Sequence, residues 1–235
     1  MIVRHTESSQ LLITQPDHAA LAGRIMRRWR AGGLQGSPRL REILVAIEEH
    51  DNGWREVDAA PIVCQTTGQI LDFVNAPDVV RQGVWPRGVE RLAETPYAAA
   101  LVAQHALHIY QRYAMHPDWQ PFFERMQELR GRHLRQVASA GLDELMRDYV
   151  FVRLGDLVSL AFCAEWNDAP AEGGYTVRND GRHVVIAPDP FAGQTIPIEI
   201  IATVLPDRRF SSTSDVQTAL ASAPKRVLTG MVCGG

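Results

Sequence analysis

The stretch that decides the fold is residues 40–54, LREILVAIEEHDNGW. Ile43 and Ile47 recur at helical spacing and predict an amphipathic helix whose apolar stripe faces a core. His50 lies three residues after Ile47 and Asp51 lies four after it, so both polar side chains continue that stripe. The sequence therefore predicts a His-Asp pair directed into the protein interior at the end of a helix.

Two other predicted helices carry a polar group on their apolar face. A helix beginning at Pro16 places His18 at the start of its stripe, and the apolar helix predicted over 142–166 is interrupted by Asp156. An unpaired carboxylate at that position would cost several kcal/mol, so Asp156 must be paired, neutralised or metal-bound. The alternative to a metal is an ion pair with Arg153, three residues earlier.

The composition excludes several classes of protein. The chain has 235 residues, a formal net charge of −3 and 46% hydrophobic residues, which suits a globular domain rather than a broad nucleic-acid binder. The cysteines at 64, 163 and 233 form neither a CxxC pair nor a disulfide framework. Signal-peptide and membrane-span patterns are not found, and we therefore expect a cytoplasmic protein.

The distribution of periodic segments predicts a mainly α architecture. We expect a helical body over residues 1–172, which opens with a short hairpin at 1–14, and a small β-rich part over 173–235 packed on the same domain. Residues 54–75 show neither helical nor strand periodicity, but their Trp, Phe and Ile content argues against disorder. This segment is predicted to be a lid or a wall of a site.

The order His, His-Asp, Asp, with each group on its own helix, resembles the HD superfamily of metal-dependent hydrolases. The HDNG sequence agrees with the HDxG pattern common in that superfamily. The segments ITQPDHAALAG, AIEEHDNGWREVDAAP, PYAAALVAQH and GDLVSLAFC look closer to an uncharacterised bacterial HD-like family, a domain of unknown function, over most of the chain. The resemblance implies a helical HD bundle in which His18, His50, Asp51 and Asp156 bind a divalent metal.

Two imidazoles and two carboxylates suit a first-row transition ion (Mn, Fe, Co, Ni or Zn) better than Ca²⁺ or an all-oxygen Mg²⁺ site. One or two ions are expected. The histidines for a second ion would be His105 and His108, spaced i, i+3 on one predicted helix, so that both could face one cavity. For His105 the alternative is a buried imidazole that is hydrogen-bonded to a carbonyl.

The resemblance implies hydrolysis of a phosphate ester, such as a nucleotide, by a metal-activated water. Asp58 or His105 would take the proton, and Trp54 and Arg55 would contact the small-molecule substrate. Many hydrolytic HD proteins have Lys at the position of Trp54, which cannot supply that charge. Arg55, Arg112 or Arg153 would have to replace it.

Two other functions stay open at this point. Some HD-fold proteins are di-iron oxygenases, but that chemistry needs a fuller histidine set than this sequence offers. The cavity could also hold a structural metal or a ligand without catalysis. The predicted partners are a small-molecule substrate, neither nucleic acid nor membrane, and a homo-oligomer is allowed.

Overall fold

The computed structural model describes residues 1–235, the side chains of 168–170 excepted. The helices of the described chain are α1 (Gln15–Met26), α2 (Leu40–Glu49), α3 (Arg55–Ala59), α4 (Asp78–Arg91), α5 (Pro96–Ile109), α6 (Gln120–Leu134), α7 (Leu142–Cys163) and α8 (Thr213–Ser222). The strands are β1 (Ile2–His5), β2 (Ser9–Ile13), β3 (Asp168–Glu172), β4 (Tyr175–Asn179), β5 (His183–Ala187), β6 (Ile196–Pro206) and β7 (Lys225–Gly234).

One mixed sheet joins the two ends of the chain. Its strand order is β1-β2-β6-β7-β5-β4-β3, and β5 pairs parallel with β7 while the other neighbours are antiparallel. The N-terminal hairpin enters the sheet through β2, where Leu12 faces Thr203 of β6. The hairpin and the C-terminal strands therefore form a single sheet.

The prediction of a mainly α HD bundle with a small β-rich part was wrong. The chain is about 49% helical and 19% strand, and the strands build a sizeable curled sheet. The error has a physical cause, because the β2–β6 pairing joins residues nearly two hundred positions apart and local periodicity carries no signal for it. The β7 sequence KRVLTGMVCG also contains two glycines, which weaken its strand pattern.

The helices pack around a core that also covers one face of the sheet. Leu21 and Ile25 of α1 and Ile43 and Ile47 of α2 are fully buried, as the predicted stripes require. Burying a side chain of this size stabilises the fold by about 1.5–3 kcal/mol. In the described chain no helix has the combined length and apolarity to cross a bilayer.

Two close approaches bring the polar groups of three helices together. A Cβ on Gly155 would lie 2.8 Å from Ile47 Cγ2 and 3.1 Å from Met26 Cγ, so the glycine allows α7 to approach α2 and α1. A Cβ on Gly53 would clash with the Val84 carbonyl oxygen of α4. The HDNG turn is therefore held between helices, and this glycine has a packing role.

Candidate metal centre

Four side chains from three helices lie close together in the protein interior. His18 Nε2 lies 2.8 Å from Asp51 Oδ2, and His50 Nε2 lies 3.5 Å from the same oxygen. His50 Nε2 is also 3.6 Å from Asp156 Oδ1. All four residues are at most 6% exposed.

These separations match the spacing of atoms that share one metal ion. Ligand atoms about 2.1 Å from an ion lie about 3.0 Å apart in an octahedron and about 3.4 Å apart in a tetrahedron. The observed nitrogen–oxygen distances run from 2.8 to 3.6 Å. The side chains are therefore positioned to hold a metal ion with little rearrangement.

The orientation of His50 is set by the end of α2. His50 caps the helix, and its Nδ1–H donates to the Ile47 carbonyl at 2.8 Å. That carbonyl belongs to the last turn, whose oxygens lack partners within the helix. The other ring nitrogen, Nε2, is buried and has no hydrogen-bond partner among the described residues. In the neutral ring this nitrogen offers a free lone pair, which is the form that binds a metal.

The orientation of His18 depends on Ser159. The Ser159 hydroxyl donates to the Asp156 carbonyl at 3.0 Å, so its oxygen accepts the Nδ1–H of His18 at 2.8 Å. The neutral ring then directs the Nε2 lone pair at the Asp51 carboxylate, which also has only lone pairs to offer. A metal ion placed between these two atoms could bind both of them.

The electrostatics of the cluster keep both carboxylates ionised. Burial opposes protonation of His50, but Asp51 and Asp156 outweigh it and raise its pKa to about 9. Burial would raise the pKa of each carboxyl, yet the neighbouring imidazoles hold the pKa of Asp51 and of Asp156 below its usual range. Ionised carboxylates are the form that a cation binds.

His105 belongs to a second group of donors. His50, His105 and Asp156 also have potential ligand atoms within 4.8 Å of one another, and His105 Nε2 lies 3.6 Å from Asp156 Oδ2. Burial lowers the pKa of His105 to about 3, so the ring is neutral. Both groups use His50, whose Nδ1 is already bonded to Ile47. The two groups therefore share His50, whose one free lone pair can bind one ion.

A cavity of about 440 Å³ opens onto the cluster. The residues that line it include Trp54, which was predicted to contact the substrate, together with His105 and His108. The other lining side chains are mainly aromatic or cationic: Phe73, Trp85, Tyr110, Arg112, Arg153 and Trp166. Arg153 NH1 donates to Asp156 Oδ2 at 3.2 Å, so the ion pair considered for Asp156 is present beside the cluster.

The structure places two predicted site residues away from the cavity. Arg55 is exposed and pairs with Glu49 at 2.8 Å. Asp58 is buried, but one oxygen binds the Met1 amine at 2.5 Å and the other accepts the Gln15 N–H at 2.6 Å. The short helix α3 begins directly after Trp54 and directs Asp58 toward the start of α1, where it caps a free N–H.

Sequence reasoning missed Ser159 and most of the aromatic lining. Ser159 could have been found, because it follows Asp156 by three residues on the same face of α7. Its hydrogen bond with His18 spans 141 positions and was not readable from spacing. Trp85 and Tyr110 come from separate helices, and only their packing brings them to the cavity.

The fold and the cluster define an α/β protein with a buried His/Asp centre suited to a metal. A family model described as Protein of unknown function (DUF3891) matches residues 1–207, and the chain belongs to this family. No curated protein and no solved structure gives a significant match. The match supports the predicted likeness to a family of unknown function but does not support membership of the HD superfamily.

Proposed function

We propose that this protein is a metal-dependent hydrolase of a small phosphate ester, with the ion held by His18, His50, Asp51 and Asp156. The observation that carries the proposal is the buried, unpartnered Nε2 of His50, which lies among two carboxylates at ligand spacing. The proposal rests on these side chains and not on an HD fold.

The cavity wall supplies cations for an anionic substrate. Arg153 and Arg112 both line it, and Arg153 lies directly beside the ligand Asp156. The buried Nε of Arg153 has no hydrogen-bond partner among the described residues, and a carboxylate oxygen of Glu172 lies 3.6 Å from it. A guanidinium with a free N–H suits a phosphate oxygen. These arginines therefore supply the positive charge that Trp54 cannot.

A bound divalent ion would polarise a phosphoryl oxygen and lower the pKa of a water molecule that it binds. The protein's own side chains would bind the ion, orient the ester and accept a proton from the water molecule. His105 is the candidate for the last task, because it lines the cavity and its Nε2 lies 3.6 Å from Asp156 Oδ2. Asp58 has both oxygens engaged elsewhere and is given no part in the chemistry.

The cavity also limits the substrate. A volume of about 440 Å³ admits a small molecule and not a polymer. Trp54, Trp85 and Tyr110 offer faces on which a planar group can pack. A phosphate ester of a compact, partly unsaturated alcohol or a mononucleotide fits these walls.

The arrangement of the metal-ligating side chains favours a di-iron oxygenase less than it favours a hydrolase with one ion. It needs ligands for two ions at once, whereas the two donor groups share the single free nitrogen of His50. The non-catalytic alternative predicts the same metal binding without turnover. Activity measurements on the metal-loaded protein therefore separate it from the hydrolase.

The test combines metal analysis with phosphate release. Purified protein loaded separately with Mn²⁺, Co²⁺, Ni²⁺ or Zn²⁺ should retain about one ion per chain and release phosphate from a panel of aryl phosphates and mononucleotides. His50→Ala should lose the ion and the activity. His133→Ala is the matched control, because His133 is also buried but lies on α6 outside the cavity lining.

Each outcome decides between the functions. Wild type that binds no first-row ion would refute the metal centre. A protein that binds one ion tightly but hydrolyses nothing in the panel would refute the hydrolase and favour the non-catalytic alternative. Equal loss of metal in His133→Ala would show that the effect of His50→Ala reflects the fold and not the ligand.

A further inference from the structure

Two polar side chains in the wall of the cavity lack hydrogen-bond partners. Gln15 and Trp54 both line the cavity beside the metal cluster, and each is 2% exposed. The Oε1 of Gln15 and the Nε1 of Trp54 are buried and have no partner among the described residues. The hydrogen bond from Gln15 to Asp58 comes from the backbone N–H and does not involve the side-chain amide. Because buried polar groups in native proteins are nearly always paired, this acceptor and this donor indicate that a bound molecule pairs with them.

Both residues lie one turn away from a proposed metal ligand. Gln15 precedes His18 by three residues in α1. Trp54 follows Asp51 by three residues, in a turn that the Trp54 N–H closes onto the Asp51 carbonyl at 3.0 Å. Side chains three positions apart on a helix have Cβ atoms about 5–6 Å apart. Since His18 and Asp51 are themselves 2.8 Å apart, Gln15 and Trp54 flank the same metal-binding pair.

The chemistry of the two groups identifies what they bind. The oxygens of a phosphate group act as hydrogen-bond acceptors, so an amide oxygen beside them gains no hydrogen bond. An ammonium group has no lone pair for the indole N–H, which only donates. A hydroxyl group suits both, because its O–H donates to the amide oxygen and its oxygen accepts the indole N–H. The NH₂ of the same amide can donate to the oxygen of a neighbouring hydroxyl.

The surrounding wall suits the carbon skeleton of such a molecule. A tryptophan offers an apolar face and a polar N–H together, as a molecule with alternating carbon and hydroxyl groups requires. Trp85 and Tyr110 add further aromatic surface to the same cavity, and Arg153 beside Asp156 supplies the charge for the phosphate.

We propose that Gln15 and Trp54 form a subsite for a substrate hydroxyl, so that the preferred phosphate ester is that of a sugar or another polyol. The inference rests on the proposed function, because it takes the phosphate to lie at the metal and at Arg153. The polyol can be free, as in glycerol phosphate, or part of a nucleotide, and the two sources share the same hydroxyl chemistry.

Binding of phosphonates, which lack the cleavable ester oxygen, tests the subsite without turnover. 3,4-Dihydroxybutylphosphonate and n-butylphosphonate have the same carbon chain and differ only in two hydroxyl groups. Titration calorimetry of the Mn²⁺-loaded full chain should give the dihydroxy compound a dissociation constant at least about ten-fold lower than that of the butyl compound. Phosphate release from AMP and from 2′,3′-dideoxy-AMP then shows whether the sugar of a nucleotide is recognised in the same way.

Two variants and a matched control locate the effect. Gln15→Leu removes the amide at similar size, and Trp54→Phe keeps an aromatic face without the N–H. Each should lower the preference for the dihydroxy compound by at least about three-fold. Gln10→Leu is the control, because Gln10 is also buried with an unpartnered Oε1 but lies on β2, outside the cavity lining, and its preference should equal that of wild type. Circular dichroism and metal titration check that each variant is folded and binds the ion.

The outcomes separate this inference from the proposed function. Equal dissociation constants of the two phosphonates for wild type, or no binding of either, would overturn the subsite even if phosphate esters are hydrolysed. A preference that Gln15→Leu and Trp54→Phe both lower would support the subsite even if no ester is hydrolysed. A preference that both variants retain would overturn it, since the hydroxyls would then bind elsewhere. An equal loss in Gln10→Leu would also overturn it, because the effect would then come from the fold.

Discussion

Replacing Ser159 with alanine should weaken metal binding far more than it weakens the fold. When a metal ion is bound in the wild type, the Ser159 oxygen, 2.8 Å from His18 Nδ1, can accept the Nδ1–H and so keep the Nε2 lone pair directed at the centre. Without the hydroxyl, the ion-free ring can move its proton to Nε2 and donate to Asp51, which is 2.8 Å away. Metal binding forces the proton back to Nδ1, where it has no partner.

The magnitude follows from the cost of that orphaned donor. A buried N–H without a partner costs about 1–3 kcal/mol, which corresponds to roughly 5- to 150-fold in affinity. Loss of an outer partner of a metal-binding histidine typically costs about 10- to 100-fold. We therefore expect Ser159→Ala to raise the metal dissociation constant by about 10- to 100-fold.

The assay is competition with a chelating metal indicator, together with ¹⁵N NMR of the His18 ring in the ion-free protein. The NMR signal should show the ring proton moving from Nδ1 to Nε2 in Ser159→Ala. Ser159→Thr keeps the hydroxyl and should recover most of the affinity. Its extra methyl enters a fully buried position and should lower the free energy of unfolding by about 1–3 kcal/mol.

Thr218→Ala is the matched control. Its hydroxyl also donates to a carbonyl within its own helix, at 2.9 Å, but it lies on α8 and contacts no histidine. Its metal affinity should equal that of wild type. The reasoning is refuted if Ser159→Ala binds metal within two-fold of wild type, or if its ring proton stays on Nδ1.

Three further predictions concern the cluster and its surroundings. Asp156→Asn should lower metal affinity by at least about ten-fold, whereas Arg153→Met should keep the metal but raise KM for a phosphate ester, as titration and steady-state kinetics will show. Asp58→Asn should leave metal affinity unchanged, because the Asp58 oxygens bind the Met1 amine and a helix N–H. A loss of affinity in the same titration would show that Asp58 does contribute to the metal site. Gly53→Ala should lower the free energy of unfolding in urea by about 1–3 kcal/mol or more through its clash with Val84, and an unchanged midpoint would contradict the packing role.

Much of the local structure could be predicted from the sequence. Helix periodicity over α2 gave a buried stripe that ends in His50 and Asp51, and the same reasoning directed His18 and Asp156 inward. These inferences hold because the direction of a side chain on a helix depends on neighbours three and four residues away. The requirement that a buried carboxylate be compensated then pointed to a shared site.

Other features depended on contacts that spacing does not encode. The sequence placed Asp58 next to the metal dipeptide, but one turn of helix directs it to the chain start. Arg55 was predicted to contact substrate and instead pairs on the surface with Glu49. In both cases proximity in sequence was taken for proximity in space.

The sequence by itself determined which residues form helices and which polar groups face the interior. Only the tertiary structure decided that β2 pairs with β6, that Ser159 orients His18, and that the strands form one sheet. The physical reason is the range of the interactions. Helix periodicity is fixed within one turn of chain, whereas strand pairing and side-chain hydrogen bonds between elements join residues more than a hundred positions apart and are selected by the packing of the whole core.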